Sequence, residues 1–140
     1  MSRPSWAVDK NAVGEVIYTL IDNASKYSPI GTTIRVTAAT ADEGHVRLCV
    51  EDEGPGIPPE LREAVFQKFF RIPGRESVDP RRTGIGLGLP IAKRLVESQA
   101  GQIQIETPAS GRGTCVALTL PGVASDVDST TTLAPAALRA

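Results

Sequence analysis

"RTGIGLGLPIAKR", residues 82–94, sets glycines at 84, 86 and 88 and then turns into a helix at Pro90. Glycine this dense lets a backbone come very close to another group, and bare amides at a helix N-terminus favour an anion such as phosphate. The spacing is one residue short of the dinucleotide fingerprint, no strand leads directly into it, and no Gly-Lys-Ser/Thr follows. Alone, the stretch fits a flexible loop with a helix cap equally well. What decides is the rest of the chain.

Upstream, "DKNAVGEVIYTLIDNASK" carries Val13, Val16, Ile17, Leu20, Ile21 and Ala24 on one helical stripe, with Asp9 placed as N-cap. Pro29 and Gly31 break it. "TIRVTAAT" and "VRLCVED" alternate and read as a hairpin turning at Asp42 to Gly44, with Ile34, Val36, Ala38 and Val46, Leu48, Val50 facing inward. A turn, "EGPGIPP", leads to a short helix, "PELREAVFQKFF". Residues 71–84 hold four arginines, two prolines and no apolar period, so they form a long functional or mobile loop. The last helix buries Ile91, Leu95 and Val96 and stops at Gly101; "QIQIET" and "CVALTLP" make a second hairpin. This order predicts an α+β, two-layer sandwich: a largely antiparallel sheet with three helices on one face and a solvated open face. Residues 1–121 form the domain, and residues 122–140 read as a mostly disordered tail.

The bulk numbers exclude several classes. The 140 residues suit one domain with a real core, and a net charge of −1 gives no general pull toward nucleic acid or anionic membrane. Aromatics at 4% leave no base-stacking surface. Cys49 and Cys115 lie in apolar alternating runs and read as small buried hydrophobes in a reducing compartment. His45 is the only histidine; it falls in a hairpin turn and reads as exposed. No apolar run spans a bilayer and no signal-peptide layout opens the chain, so a soluble cytoplasmic chain, or a soluble piece of a larger one, is expected.

Two further stretches can serve a nucleotide. "DEGPGIP" ends a strand on Asp52, followed by Gly54 and Gly56; the carboxylate can accept an adenine amine while Gly56 lets the base lie against the backbone beside Ile57. A plain Asp-Gly turn is the alternative. "DNASKYSP" puts Asn23, Lys26 and Tyr27 at the end of the first helix: an amide oxygen for Mg²⁺, an ammonium for a phosphate and a ring for a purine. A polar helix terminus is the alternative there.

Taken in order, "DNASKY", "DEGPGI", "FQKFFR", "GIGLGL" and "GRGT" resemble the N, G1, F, G2 and G3 boxes of sensor histidine kinase catalytic domains, relatives of Hsp90-, gyrase- and MutL-like ATPases. The resemblance runs from about Asp9 to Pro121. It implies a Bergerat-type α/β sandwich with a sheet of about five strands, in which ATP lies under a mobile lid. It implies that Asn23 holds Mg²⁺, Lys26 reaches the phosphates, Tyr27 flanks the adenine and Asp52 accepts from its amino group. Gly54, Gly56 and Ile57 would line the base pocket with Thr114 nearby, and Arg71 would face the phosphates. Residues 72–83 would form the lid, ending on Gly84, Gly86, Leu87 and Gly88 at the phosphate end.

The function so implied is transfer of the γ-phosphate of Mg·ATP to a histidine on a separate helical domain of the same protein, with a response regulator served indirectly. A serine kinase of the anti-sigma-factor type, and a degenerate nucleotide-binding interaction module, are the alternatives. Two features depart from the family pattern. Thr19 stands where the family usually has an asparagine and hydrolytic relatives a glutamate base, and a threonine hydroxyl is no base near neutral pH. Glu15, a turn further back, lies too far to substitute. Efficient stand-alone hydrolysis is therefore not expected. No phosphoacceptor histidine is present, and "MSRPSW" leaves little room for the preceding strand and helices, so an excised fragment with a bare sheet edge, prone to strand exchange or dimerisation, is expected.

Overall fold

In a computed structural model of the protein, the structure describes residues 10–41, 44–68, 70, 88–121 and 129–133. Among these residues, five strands form one antiparallel sheet: β1 (Ile34–Thr40), β2 (His45–Asp52), β3 (Gln102–Glu106), β4 (Thr114–Pro121) and β5 (Ser129–Leu133), in the order β3-β4-β2-β1-β5. The α-helices of the described residues, α1 (Lys10–Tyr27) and α2 (Gly88–Ser98), pack on each other and on one face of the sheet. Register follows the alternation of the sequence: Val36 pairs with Val50 and Ala38 with Leu48, so both inward sets share the helical face.

The core joins Val16, Leu20 and Ala24 of α1 with Leu89, Ala92 and Val96 of α2 and with Ile34, Val50, Ile105, Val116, Leu118 and Leu120 of the sheet. Ile91 departs from expectation and is 48% exposed. Leu89, Ala92 and Val96 stand at i, i+3 and i+7 and define the buried stripe; Leu95 flanks it, and Ile91 falls a further step around the helix.

The expected middle helix consists of two 3₁₀ turns, Pro59–Leu61 and Ala64–Phe66. Only Val65 is fully buried there, too little to hold a regular helix, and the amides of Phe66 and Gln67 bond three residues back. Lys93 of α2 sits 5.3 Å above the Phe66 ring and ties this segment to the helix layer.

Gly101 ends α2 for a different reason from the expected one. Ala100 takes the left-handed turn, with φ 61°, while a Cβ on Gly101 would stand 2.5 Å from the Thr119 carbonyl oxygen. The glycine is needed for close packing of the helix exit on β4.

Residues 122–140 were expected to be largely disordered, yet five of them make β5 and pair along β1, Ile34 opposite Leu133 to Ala38 opposite Ser129. The threonine-rich run has the β-branched residues a strand favours. It covers one edge of β1. The open face is also not wholly solvated: Cys49, Cys115 and Ala117 form a second, small buried cluster there. Asp9, Asp42 and the loop at 71–84 lie outside the described residues.

Candidate functional site

Asp52 ends β2 opposite Thr114, the first residue of β4. Its Oδ1 accepts the Gly54 N–H at 2.8 Å and the Thr114 N–H at 3.2 Å. One carboxylate oxygen is thereby locked to the turn after β2 and to the start of β4, and Oδ2 is the oxygen that can turn to an incoming donor. Burial pushes the carboxyl above the ordinary carboxylate range, and the two amides hold back part of that rise.

The turn is built around this carboxylate. A Cβ on Gly54 would stand 3.1 Å from both Asp52 Oδ1 and the Tyr27 carbonyl oxygen, so the end of α1 lies against the turn. Gly56, at φ +79°, lies against the Gly113 carbonyl, and Ile57 packs on the core. Thr114 is buried.

Two residues that sequence reasoning passed over complete the support. Gly113 has φ +91°, and a Cβ there would overlap the backbone oxygen of Asp52; "GRGT" signalled it, though only its threonine was singled out. Arg62 donates from Nε to the Ile57 carbonyl at 3.1 Å and from Nη2 to Thr107 Oγ1 at 2.8 Å, bracing the turn against the β3–β4 loop. No local pattern marks it, because both partners are set by the tertiary fold. A cleft of about 620 Å³ runs between these loops, lined by Gly54, Gly56, Ile57, Arg62, Arg112 and Gly113.

The second half of the site lies where α1 meets α2. A Cβ on Gly88 would stand 3.7 Å from Thr19 Cγ2 and 4.0 Å from Asn23 Oδ1, so Thr19 and Asn23 face the start of α2. Lys26 is ion-paired with Asp22 one turn back, at 3.1 Å. Asn23, Lys26 and Tyr27 are all half-buried. Two groupings result: Asp52 with Gly54, Thr114 and the Tyr27 carbonyl at the ends of β2 and β4, and Asn23 beside Gly88 at the start of α2. Arg71, Gly84, Gly86, Leu87 and residues 72–83 lie outside the described residues. Among the described residues no group of three or more His, Cys, Asp or Glu could hold a metal ion.

Residues 8–124 match the histidine kinase-, DNA gyrase B- and HSP90-like ATPase family. The chain belongs to this family. Among its relatives, the signal transduction histidine-protein kinase/phosphatase MprB of Mycobacterium leprae (strain TN) is 39% identical over 134 residues, which cover 92% of this chain and 25% of the relative. The chain therefore spans about a quarter of the length of that relative. The solved mycobacterial sensor histidine kinase MprB superposes with a TM-score of 0.69 at 38% identity, over 81% of this chain and 72% of that one. Full-length ShkA, solved in complex with AMPPNP, superposes at 0.64 with 29% identity, over 81% of this chain and 22% of that one. Against this ATPase-family frame, the two-layer α+β fold is the one expected. No helix among the described residues is long and apolar enough to cross a membrane.

Proposed function

We propose that this ATPase-family domain is the catalytic part of a sensor histidine kinase, which binds Mg·ATP and presents its γ-phosphate to a histidine on a separate helical domain of the same protein, for onward transfer to a response regulator. The observation that carries the reading is Asp52: a buried strand-end carboxylate with one oxygen fixed by the Gly54 and Thr114 amides and the other able to accept. That arrangement suits the exocyclic amine of adenine and opposes the carbonyl that guanine has at the same position.

Around it, Gly54, Gly56 and Ile57 admit the base against the backbone, Thr114 closes its edge and Tyr27 flanks it. Asn23 offers a hard amide oxygen to Mg²⁺, whose remaining ligands come from phosphate and water. Lys26 turns from Asp22 toward the phosphates; a partly exposed pair of this kind holds it by about 1 kcal/mol at most. Arg71 and the amides of Gly84, Gly86, Leu87 and Gly88 neutralise the phosphate end. The triphosphate supplies the transferable group; this chain's own part is to bind, orient and neutralise, as phosphoryl transfer demands. Thr19 in place of a base keeps water from being activated. The domain works in the cytoplasm.

The test uses the purified chain with labelled ATP and a separately produced helical hairpin bearing a phosphoacceptor histidine. Acid-labile phosphohistidine on the hairpin, with none on the chain alone, is the expected result. Label on the chain alone, or on a serine of an anti-sigma-factor antagonist instead of the hairpin, would refute it.

A further inference from the structure

The cleft of about 620 Å³ between the turn after β2 and the β3–β4 loop is a different space from the proposed nucleotide site: Asn23, Tyr27, Asp52 and Thr114 do not line it. Part of its wall is bare backbone. Gly56 and Gly113 meet there, so closely that a Cβ on Gly56 would stand 3.0 Å from the Gly113 carbonyl oxygen. Pro29, Pro55, Ile57 and Pro58 supply apolar wall. A cleft of this volume, mostly apolar with a few polar groups, suits a small molecule.

The polar groups are two guanidiniums, Arg62 and Arg112. Arg62 is half-buried and held by its bonds to the Ile57 carbonyl and Thr107 Oγ1. Those bonds use Nε and Nη2, and a guanidinium has further N–H donors to spare on a group already fixed in place. Arg112 is exposed; Ser110 Oγ accepts its amide at 3.4 Å and donates to its carbonyl at 3.3 Å, which shapes the loop that carries it. Neither guanidinium is in an ion pair among the described residues, whose pairs are Lys26 with Asp22 and Arg47 with Glu106. Glu53 is the one acid among the described lining residues, and its Oε2 accepts the Thr33 amide at 2.6 Å. Glu106, whose carboxyl Arg62 helps to hold low, is bonded to Arg47 and Gln104. The cleft therefore carries a surplus of positive charge beside an apolar wall.

We propose that this cleft is a second ligand site, separate from the nucleotide site, for a small organic anion: Arg62 and Arg112 bind its carboxylate or phosphate head, and its apolar body lies against the prolines and Ile57. Carboxylate and phosphate both take parallel N–H bonds from a planar guanidinium, and such charge-assisted bonds are short and strong. Arg62 is the anchor, because a side chain already held at two points has little freedom left to lose on binding. Arg112 adds the second charge. The backbone of the cleft is also the frame of Asp52: the Gly54 amide donates to its carboxylate, and Gly113 lies against its carbonyl. An occupant of the cleft is therefore felt by the amides of Gly54 and Gly113 without touching the Asp52 side chain.

The test follows the Gly54 and Gly113 amides and the Arg62 Nε–H by NMR of the isotope-labelled full chain, without nucleotide and at constant ionic strength. The probes are benzoate, phenyl phosphate and neutral benzyl alcohol. Saturable shifts of all three groups at about millimolar affinity are expected for at least one anion and not for the alcohol, and the tighter anion identifies the head group. Arg112→Ala removes an exposed side chain outside any ion pair, so the fold is kept, and anion binding is expected to weaken about five- to tenfold. Arg112→Lys, which keeps the charge and loses the fork, is expected to fall between. A saturating non-hydrolysable ATP analogue is expected to leave the anion bound. No saturable shift with either anion, equal binding of the alcohol, undiminished binding by Arg112→Ala, or stoichiometric displacement of the anion by the ATP analogue would each overturn the proposal.

Discussion

Asp52 is the residue at which fold and proposed function oppose each other. Burial raises its carboxyl pKa, so the folded protein holds the proton more tightly than the unfolded chain does. Stability from this group is greatest below the unfolded carboxylate range and declines as pH rises through the folded value. At neutral pH the ionised form is a cost. Asp52→Asn keeps an oxygen for the Gly54 and Thr114 amides and removes the buried charge, so thermal unfolding at pH 7 is expected to move to higher temperature, with the gain fading toward low pH. A drop in Tm at pH 7 would contradict this. Gly113 works in the opposite direction: at φ +91°, with the Asp52 carbonyl where a Cβ would go, Gly113→Ala is expected to cost about 1–3 kcal/mol or more in denaturant unfolding.

At the scale of elements, the apolar patterning carried most of the fold. The stripe of α1 and both inward sets of the first hairpin were legible because period 3.6 and period 2 are each set by one buried face. Ile91 was not, because α2 begins on Gly88, and only packing against α1 decides which of its overlapping apolar rows is buried. The contrast is measurable: Leu20→Ala, at 1% exposure, is expected to cost about 2–5 kcal/mol, and Ile91→Ala less than about 0.5 kcal/mol. The middle segment shows an apolar row that reads as helix, yet its bonds are 3₁₀ because the fold buries only Val65. In the candidate site, Asp52, Gly54 and Gly56 were legible through local turn chemistry, and Gly113 was not. Arg62 was not, since Ile57 and Thr107 lie on separate loops, and the meeting of Cys49 with Cys115 depends on strand order that spacing does not contain.

For the whole molecule, β5 shows that residues past 121 take part in the sheet. Its composition reads as tail; pairing with β1 gives its backbone groups the partners that solvent would otherwise supply. Removing residues 122–140 is expected to lower Tm and to promote self-association by edge pairing, seen as a concentration-dependent mass in sedimentation; an unchanged Tm and a constant monomer mass would contradict it. The proposed division of labour is likewise a property of the whole: this domain orients the nucleotide, and the acceptor histidine comes from elsewhere.

The claim that the proposed site grips adenine through Asp52 is tested most directly by calorimetric titration of the purified chain with a non-hydrolysable ATP analogue and its guanine counterpart, each with and without Mg²⁺. Binding of the adenine analogue, strengthened by the metal and at least tenfold tighter than the guanine one, is expected, with Asp52→Asn losing about ten- to a hundredfold in affinity. Equal affinity for the two bases, or undiminished binding by Asp52→Asn, would contradict it.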